Sequence, residues 1–463
     1  MLRVLYAVML LGLITGCTTT PQYNQPLTQF SPDYGYRFQN IDKKQNSDDL
    51  FVILTFSGGG TRASALSLGV LEKLAATEIE WNGRKCRLLD EVDVISGVSG
   101  GSFTAAYYGA FGDRVFTDFL EHLYQKNNSI LLKAALALPN VIKQASPFYS
   151  RTDTTANNYS KNIFEQLTFG DLLAKQQRPF ILLNATDMGM GRQFSFTQNY
   201  FDLLYSDLST YPIGNAVAAS SAFPGAFTSL LLKNYEKGAD FRLDPWFQSW
   251  IDSGQRGAFQ YRTAMDFAAY ADPKKIFTHL SDGGVSDNLG LLPVIASLSD
   301  PTHPLSLVPT IPGGTEQKIV VIVVNAASRP PDKMSYKGEP FGLFKILGTA
   351  STTPMGWFSE AQLAYLQLAM DHMEKLSVPS PGETPESGTN AARIVQSEAL
   401  RRFYMTEVGF NKIVDDEERS YFQTIKTTFT LVPECVDRLR AIGGTILDED
   451  PSFQKLLSEI GAK

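Results

Sequence analysis

A serine set among glycines is the first candidate for chemistry in this sequence. Residues 97–101 read Gly-Val-Ser-Gly-Gly and match G-x-S-x-G, in which small neighbours let a strained serine project from a strand-to-helix turn. An apolar stretch from Val92 to Ser96 precedes the motif, and a helical pattern follows Gly101. Ser99 is therefore predicted at a helix N-terminus, where unpaired N–H groups favour an alkoxide or an oxyanion. These features make Ser99 a candidate nucleophile.

A run of three glycines occupies a similar predicted corner one strand–helix unit earlier. It comprises Gly58, Gly59 and Gly60, and Arg62 follows closely. Neighbouring corners of a parallel sheet face the same edge, so this loop is expected near Ser99. Bare backbone N–H groups can approach a reacting carbonyl closely, as an oxyanion hole requires.

Two other interpretations of the glycine run remain open. Gly58, Gly60 and Ala63 also satisfy the looser dinucleotide-binding fingerprint. That interpretation needs an acidic residue at the end of the second strand, whereas Glu80 comes too early and the strand ends in Ser96. A purely structural glycine turn is the second alternative.

An aspartate follows a third predicted strand. The apolar stretch from Ile276 to Leu280 is followed by Ser281 and then by Asp282. Gly283 and Gly284 come next. On its own this pattern is typical of an ordinary Asp-Gly turn. An aspartate is a weak base in water, so a catalytic role requires a pocket that excludes water.

Together with residues 218–224, these strings resemble the patatin-like phospholipase family over residues 50–326. That family shows a GGGxR loop, GxSxG, an ASxAxP-like block and DG[GA] in this order. The resemblance implies a serine lipid-acyl hydrolase in which Ser99 attacks and Asp282 is the only catalytic base. It also implies that the glycine loop supplies oxyanion donors, with Arg62 close to the oxyanion or the lipid phosphate. Ala63 departs from the family, which usually has glycine there.

Two alternatives remain, one for the catalytic residues and one for the function. The chain has only 4 histidines, but a Ser-Asp-His order could use His303 or His372. Neither histidine lies in a glycine-bearing corner, and His303 is more typical of a loop. The other alternative is a non-catalytic lipoprotein that keeps the fold to bind lipid or partner proteins.

The elements around these motifs predict an α/β fold. Strand, helix, strand and helix follow each other from Phe51 onward, and further strands are expected at 180–184, 277–281 and 319–325. The resemblance implies a patatin-like three-layer α/β/α sandwich with a mainly parallel central sheet. Residues 50–326 are predicted to form the catalytic domain. Residues 327–463 are predicted to form a mixed, mostly helical extension, with a helix near 360–376 and a loop near 377–390.

Two long insertions, at 112–177 and 228–275, separate the predicted strands. The second carries Trp246, Phe247 and Trp250. These side chains either pack the insertion on itself or present an apolar surface to lipid.

The N-terminal residues resemble a bacterial lipoprotein signal. A cationic start, an apolar run too short to span a bilayer, and the ending Ile-Thr-Gly-Cys predict a signal peptide at 1–16 and a lipid anchor on Cys17. Residues 17–49 are expected to be a polar tether. The expected location is the bacterial cell envelope, with the outer membrane or periplasm favoured. An ordinary secretory signal with an incidental cysteine is the alternative.

Composition excludes several other classes of function. The formal net charge is −7 and no Lys/Arg cluster is present, so we expect no nucleic acid partner. The remaining cysteines, Cys86 and Cys435, show no metal-site spacing, and we expect no metal or cofactor. Export would permit the two thiols to pair, and two inert buried thiols are equally compatible with the sequence.

Overall fold

The computed structural model describes residues 23–122, 151–224, 227–300, 302–308, 316–329, 336, 342–377, 400–428 and 430–462. The chain has an α/β fold in which a mixed, mostly parallel central sheet is flanked by helices and followed by a helical C-terminal region. The α/β class and the mainly parallel sheet predicted from the sequence are confirmed.

The described strands and helices are numbered separately in chain order. The strands are β1 (Gln25–Pro26), β2 (Leu50–Phe56), β3 (Glu78–Trp81), β4 (Arg84–Arg87), β5 (Val92–Val98), β6 (Phe180–Asp187), β7 (Arg192–Ser195), β8 (Ser206–Asp207), β9 (Leu230–Lys233), β10 (Phe277–Asp282), β11 (Glu316–Asn325) and β12 (Leu400–Gly409). The helices are α1 (Thr61–Ala76), α2 (Gly100–Phe111), α3 (Arg151–Asn162), α4 (Phe169–Lys175), α5 (Gln198–Leu203), α6 (Ile213–Ser220), α7 (Pro245–Ser253), α8 (Phe259–Ala268), α9 (Gly284–Asp287), α10 (Leu292–Ser299), α11 (Leu343–Ser377), α12 (Asp416–Thr424), α13 (Pro433–Glu449) and α14 (Pro451–Glu459).

The chain divides into two compact units, each named here for one candidate catalytic residue. The Ser99 unit contains the described residues within 41–105, 176–182 and 287–463. The Asp282 unit contains the described residues within 1–40, 106–175 and 183–286. The division does not follow the boundary predicted at residue 326, because the C-terminal residues belong to the same unit as residues 41–105.

The Ser99 unit is built on parallel strands in the order β12-β11-β2-β5. Strand β2 is buried along its whole length, as expected for an aliphatic strand covered on both faces. Strand β12 pairs with β11 from Leu400 to Gly409 and was not predicted. Its buried positions alternate with more exposed ones, and its polar residues hide it from a search for continuous apolar runs.

Helices α1 and α13 of the Ser99 unit cross at very close range. A Cβ on Gly69 would lie 2.0 Å from the carbonyl oxygen of Arg440, and one on Gly443 would lie 2.7 Å from that of Leu66. Glycine at both positions therefore allows the two backbones to approach. Because α1 starts directly after the glycine loop, the C-terminal helix α13 fixes the helix that carries this loop.

The Asp282 unit contains antiparallel pairs. Strand β10 pairs antiparallel with β6, with Asp282 opposite Ala185, and also pairs antiparallel with β9. Strand β7 adds a further antiparallel partner to β6. Asp282 is thus the last residue of an antiparallel strand, an orientation that the sequence did not reveal.

Residues 23–40 are not the tether that was expected over 17–49. Strand β1 pairs with β8, Arg37 forms an ion pair with Asp202, and Tyr36 is buried. Residues 41–49 are also attached, since the N–H of Ser47 donates to the carboxylate of Glu91 at 2.8 Å. Residues 1–22, which include the predicted signal peptide and Cys17, lie outside the described residues.

Two further predictions concern the C-terminal half and the cysteines. The helix expected at 360–376 lies inside α11, which begins much earlier and continues through Pro354, while most of the predicted loop at 377–390 falls outside the described residues. Cys86 and Cys435 are free thiols, so the disulfide alternative is not realised. In the part of the chain that the structure describes, no helix combines the length and apolarity needed to cross a bilayer.

The tryptophan-bearing helix α7 packs within its own insertion. The ring of Phe247 stacks on Phe267 of α8 with centroids 4.6 Å apart, and Trp246 contacts both Phe247 and Trp250. Both tryptophans are half-buried. This packing favours the structural interpretation of the cluster over a lipid-facing one.

Candidate active site

Ser99 occupies a strained turn between β5 and α2. Its φ is +50°, in the left-handed region that residues with a side chain rarely adopt, and the residue is 8% exposed. The hydroxyl of Ser102 donates to the carbonyl oxygen of Ser99 at 2.5 Å, which closes the first turn of the helix. A strained serine at a strand-to-helix corner is the geometry that the G-x-S-x-G pattern predicted.

The turn holds its shape because the glycine loop lies directly against it. A Cβ on Gly100 would lie only 2.1 Å from the carbonyl oxygen of Gly60, and the N–H of Gly101 donates to the carbonyl oxygen of Ser57 at 3.2 Å. The hydroxyl of Ser64 in α1 donates to the carbonyl oxygen of Gly100 at 2.6 Å. These contacts, all inside the Ser99 unit, fix the serine relative to the loop.

The glycine loop lies beside the serine side chain, as the sequence predicted. A Cβ on Gly58 would lie 3.4 Å from the Cβ of Ser99. Gly60 has a φ of +59° and precedes α1, so the loop turns sharply into the helix. The dinucleotide-binding interpretation does not account for a buried serine held against these glycines.

The backbone N–H groups of the loop differ in what they bind. That of Gly58 donates to the carbonyl oxygen of Asn288 at 3.0 Å, so it is committed to the fold and is not available to an oxyanion in this conformation. Those of Gly59 and Gly60 donate no hydrogen bond to the described part of the chain. Gly100 is the first residue of α2, where an N–H has no partner within the helix. Gly59, Gly60 and Gly100 are therefore the candidate oxyanion donors.

Arg62 is buried, and its guanidinium holds the C-terminal region. Its nitrogens donate to the carbonyl oxygen of Ala326 at 2.8 Å, to that of Ile425, and to the hydroxyl of Thr427 at 3.1 Å. Burial lowers the pKa of Arg62 to about 10. Arg62 thus links the start of α1, next to the glycine loop, to Ala326 and to the C-terminal residues that accept its hydrogen bonds. Its contact with an oxyanion or a phosphate stays a prediction.

The segment that Arg62 holds, residues 425–428, is named here the C-terminal strap. The carbonyl oxygen of Thr428 accepts the N–H of Thr61 at 2.9 Å, and a Cβ on Gly60 would lie 2.6 Å from that oxygen. No motif marks this strap in the sequence, and the sequence analysis missed it.

Asn288 is a second residue at the site that sequence reasoning missed. Besides its carbonyl bond to Gly58, its side-chain Oδ1 would lie 2.5 Å from a Cβ on Gly58, so the amide group flanks the loop next to Ser99. The side chain is half-buried. The signal that could have found it is the glycine-bearing stretch after Asp282, which continues to Gly290.

The carboxylate next to Asn288 is anchored on helix α11. Asp287 accepts the N–H groups of Leu291 and Leu292 and the side-chain amide of Gln362, which donates to Oδ1 at 2.8 Å. Burial raises the pKa of the Asp287 carboxyl above its usual value, and these hydrogen bonds oppose that shift. Helix α11 therefore helps to position the segment that carries Asn288.

Asp282 is held in its own unit by the fourth motif, residues 218–224. Its N–H donates to the carbonyl oxygen of Ala222 at 3.0 Å, and the N–H of Gly283 donates to that of Ser220 at 3.1 Å. Its Oδ1 accepts the N–H of Gly284 at 2.8 Å, and the residue is 4% exposed. A buried, partly hydrogen-bonded carboxylate results. Since Ser99 and Asp282 belong to different units, their pairing stays a prediction.

The two histidines of the alternative triad have other surroundings. The ring nitrogen Nδ1 of His303 accepts the N–H of Leu305 at 3.1 Å within a loop, and His372 is exposed on α11. These contacts favour a reaction without histidine.

A family model described as patatin-like phospholipase matches residues 54–295, which is more than half of the chain. The chain belongs to the patatin-like phospholipase family. The match ends before β11, so the C-terminal strap and helix α11 lie outside it.

Solved structures similar to this family member include one human and one bacterial protein. Human GIVD cytosolic phospholipase A2 is 14% identical with a TM-score of 0.42, covering 92% of this chain and 63% of that chain. VipD from Legionella pneumophila is 14% identical with a TM-score of 0.30, covering 96% of this chain and 72% of that chain. This chain therefore spans less than two thirds of the human enzyme. No curated protein sequence matches it at a significant level.

Proposed function

We propose that the protein cleaves fatty-acyl esters of phospholipids or related lipids through a Ser-Asp dyad and an acyl-enzyme. The observation that carries the proposal is the strained, buried Ser99 with Gly58 beside it and the N–H groups of Gly59 and Gly60 directed to no acceptor in the described chain. A nucleophile next to unsatisfied donors suits a reaction that develops negative charge on a carbonyl oxygen.

The first half of the reaction forms the acyl-enzyme. The hydroxyl oxygen of Ser99 attacks the ester carbonyl while its proton moves to the carboxylate of Asp282. The resulting oxyanion accepts hydrogen bonds from the N–H groups of Gly59, Gly60 and Gly100. When the intermediate collapses, the alkoxide of the leaving alcohol takes the proton from Asp282.

The second half releases the fatty acid. Asp282 removes a proton from water, and the resulting hydroxide attacks the acyl carbonyl on Ser99. Collapse of the second intermediate returns the proton to the serine oxygen and frees the carboxylic acid. Asp282 thus acts in turn as base and acid in both halves, as microscopic reversibility requires.

A fluorophosphonate probe tests the dyad. An activated serine is phosphonylated, so we expect labelling of the wild-type chain, none in Ser99→Ala, and loss of labelling in Asp282→Asn. His303→Ala serves as the matched control and should label normally. Labelling that persists in Asp282→Asn but disappears in His303→Ala would replace the dyad with a triad. An unlabelled wild-type chain would instead support the non-catalytic lipoprotein.

The substrate class is tested separately. Hydrolysis of short-chain p-nitrophenyl esters reports the chemistry alone, and lipid profiling of products from wild type and Ser99→Ala identifies the lipid cleaved. Free fatty acid together with a lysophospholipid would indicate a phospholipase A. Fatty acid released only from lysophospholipid would indicate a lysophospholipase.

We further propose that Cys17 carries a lipid anchor in the bacterial cell envelope, with the outer membrane or periplasm favoured. The support is the lipobox-like ending of the N-terminal apolar run. Incorporation of an alkyne-bearing fatty acid should be seen in the wild-type chain and lost in Cys17→Ser. Equal incorporation in both would eliminate the anchor.

A further inference from the structure

Helix α11 presents an unusual outer surface in the Ser99 unit. Trp357 is 71% exposed, Leu368 is 65% exposed, Tyr365 is 53% exposed and Phe358 is 43% exposed. With 3.6 residues per turn, these four and the exposed Ala361 and Ala364 cover an arc of about 120°. We name these six residues the outer face of α11.

The opposite side of the same helix is packed in the ordinary way. Ser359, Gln362, Leu366 and Met370 are all buried and lie about 100–180° from the centre of the outer face. An amphipathic helix of a globular protein normally turns its wide apolar stripe toward the core. Here the inner side includes a serine and a glutamine, while the aromatic side chains point outward, so the outer face is not an ordinary solvent-facing surface.

The outer face has no lysine or arginine. Between Trp357 and His372 the helix has none either, its acidic residues are Asp371 and Glu360, and Glu360 is paired with Arg329 from outside the helix. The exposed His372 lies within the same arc. Polybasic segments are what bind anionic lipid surfaces, and no such segment is present on this helix face. Tryptophan and tyrosine favour the boundary between lipid headgroups and acyl chains. The residue types therefore suit an electrically neutral, zwitterionic lipid surface.

The size of the outer face argues against a second copy of this chain as its occupant. Taking about 150–250 Å² for a whole aromatic side chain, the exposed apolar area is about 500 Å². A standard protein interface buries about 800 Å² on each partner. The face is of the size of functional apolar patches on monomers.

The inner side of the helix reaches the active-site loop by a short path. Gln362 donates to Asp287, and the next residue, Asn288, accepts the N–H of Gly58 beside Ser99. A lipid surface bound to the outer face would thus contact the same helix whose inner side supports the candidate active site. This link from lipid surface to site is relevant because the substrate of a lipid-acyl hydrolase resides in such a surface.

We propose that the outer face of α11 docks the protein on a zwitterionic lipid surface. The biological role of docking rests on the proposed hydrolase function. Binding of the outer face to lipid does not depend on catalysis and can be measured without it.

The first experiment measures directly whether Trp357 inserts into lipid. Its result does not depend on whether the N-terminus carries a lipid anchor, because both variants compared have the same N-terminus. Full-length Ser99→Ala protein is placed on phosphatidylcholine vesicles with brominated acyl chains, and the tryptophan fluorescence is compared with that of Ser99→Ala carrying Trp357→Phe. We expect the Trp357 contribution, taken as the difference, to be quenched. An unquenched Trp357 overturns the proposal, whether a second copy or another segment of the chain covers the face. A requirement for anionic lipid also overturns it.

The second experiment separates docking from chemistry. Trp357→Glu with Leu368→Glu is expected to lower hydrolysis of vesicle phosphatidylcholine about tenfold or more, while hydrolysis of a soluble short-chain ester stays within about twofold. The matched control is Val414→Glu with Val432→Glu, two valines that are 89% and 63% exposed elsewhere in the same unit. Equal loss on both substrates, or equal loss in the control, contradicts docking. Absence of soluble-ester hydrolysis in the wild type would instead refute the catalytic proposal and leave the quenching result valid.

Discussion

The backbone N–H of Thr61 donates to the carbonyl oxygen of Thr428 at 2.9 Å, so the C-terminal strap holds the start of α1 beside the glycine loop and Ser99. Arg62 adds further bonds to the same strap. The glycine loop therefore depends on residues 425–428. These residues lie outside the family match, which ends at residue 295.

Weakening the strap should therefore slow catalysis. Thr427→Val removes one acceptor of Arg62, and Arg62→Lys cannot reach the three acceptors together. Hydrogen bonds to charged groups contribute about 1.5–3 kcal/mol, so we expect a lower melting temperature in both variants and a larger loss in Arg62→Lys. The turnover number should fall with KM nearly unchanged, as measured with a soluble ester. Thr424→Val, at an exposed helix end, is the control, and an equal fall there would contradict a specific role for the strap.

Gly100 should tolerate no side chain. The methyl group of Gly100→Ala would meet the carbonyl oxygen of Gly60, so the turn and the loop must separate. Overpacking costs about 1–3 kcal/mol, and a misplacement of about 1 Å can reduce rates about 100-fold. Gly257→Ala is a suitable control, because no atom lies within 4 Å of its added Cβ. Fluorophosphonate labelling rates and urea unfolding measure the two effects, and wild-type labelling in Gly100→Ala would refute the close contact.

Because Ser99 has a positive φ, we expect glycine at this position to give a more stable protein than alanine, which is the opposite of the order in a helix. Both Ser99→Gly and Ser99→Ala should be inactive, but glycine accepts a positive φ and should give the more stable protein by about 1 kcal/mol. At Ser249, an exposed position in the middle of helix α7, the order should reverse, because glycine in a helix interior is less stable than alanine by about 1 kcal/mol. Urea unfolding of the four variants decides the matter. Ser99→Ala as stable as Ser99→Gly would mean that the turn is not strained in solution.

Asn288 is expected to position the glycine loop. Asn288→Ala removes the amide that flanks Gly58, and we expect the turnover number to fall about tenfold with a small change in KM. Asn288→Asp keeps the shape but places a negative charge beside the developing oxyanion, so it should retain no more activity than alanine. Asn411→Ala, an exposed asparagine in the same unit, should behave as wild type. A rise in KM alone would assign Asn288 to substrate binding instead.

The strand-to-helix corners at Gly58–Gly60 and Ser99 were predictable because glycine spacing and apolar runs are local signals. The antiparallel direction of β10 was not, since an apolar strand has the same pattern in either direction. The strap was also beyond sequence reasoning, because Thr428 acts through a backbone carbonyl that any residue possesses. Residues 23–40 were misjudged as a tether since their contacts, such as Arg37 with Asp202, join segments far apart in the chain.

The crossing of α1 and α13 at Gly69 and Gly443 has a consequence for protein engineering. The backbones of the two helices are in direct contact at these glycines. Replacing one helix with the corresponding helix of another family member therefore requires replacing the other helix as well. A version of the protein shortened to residues 54–295, the part that the family model matches, would lack α13 and expose the face of α1 that contacts it. Chimaeras and shortened forms should therefore be designed to carry both helices as a pair.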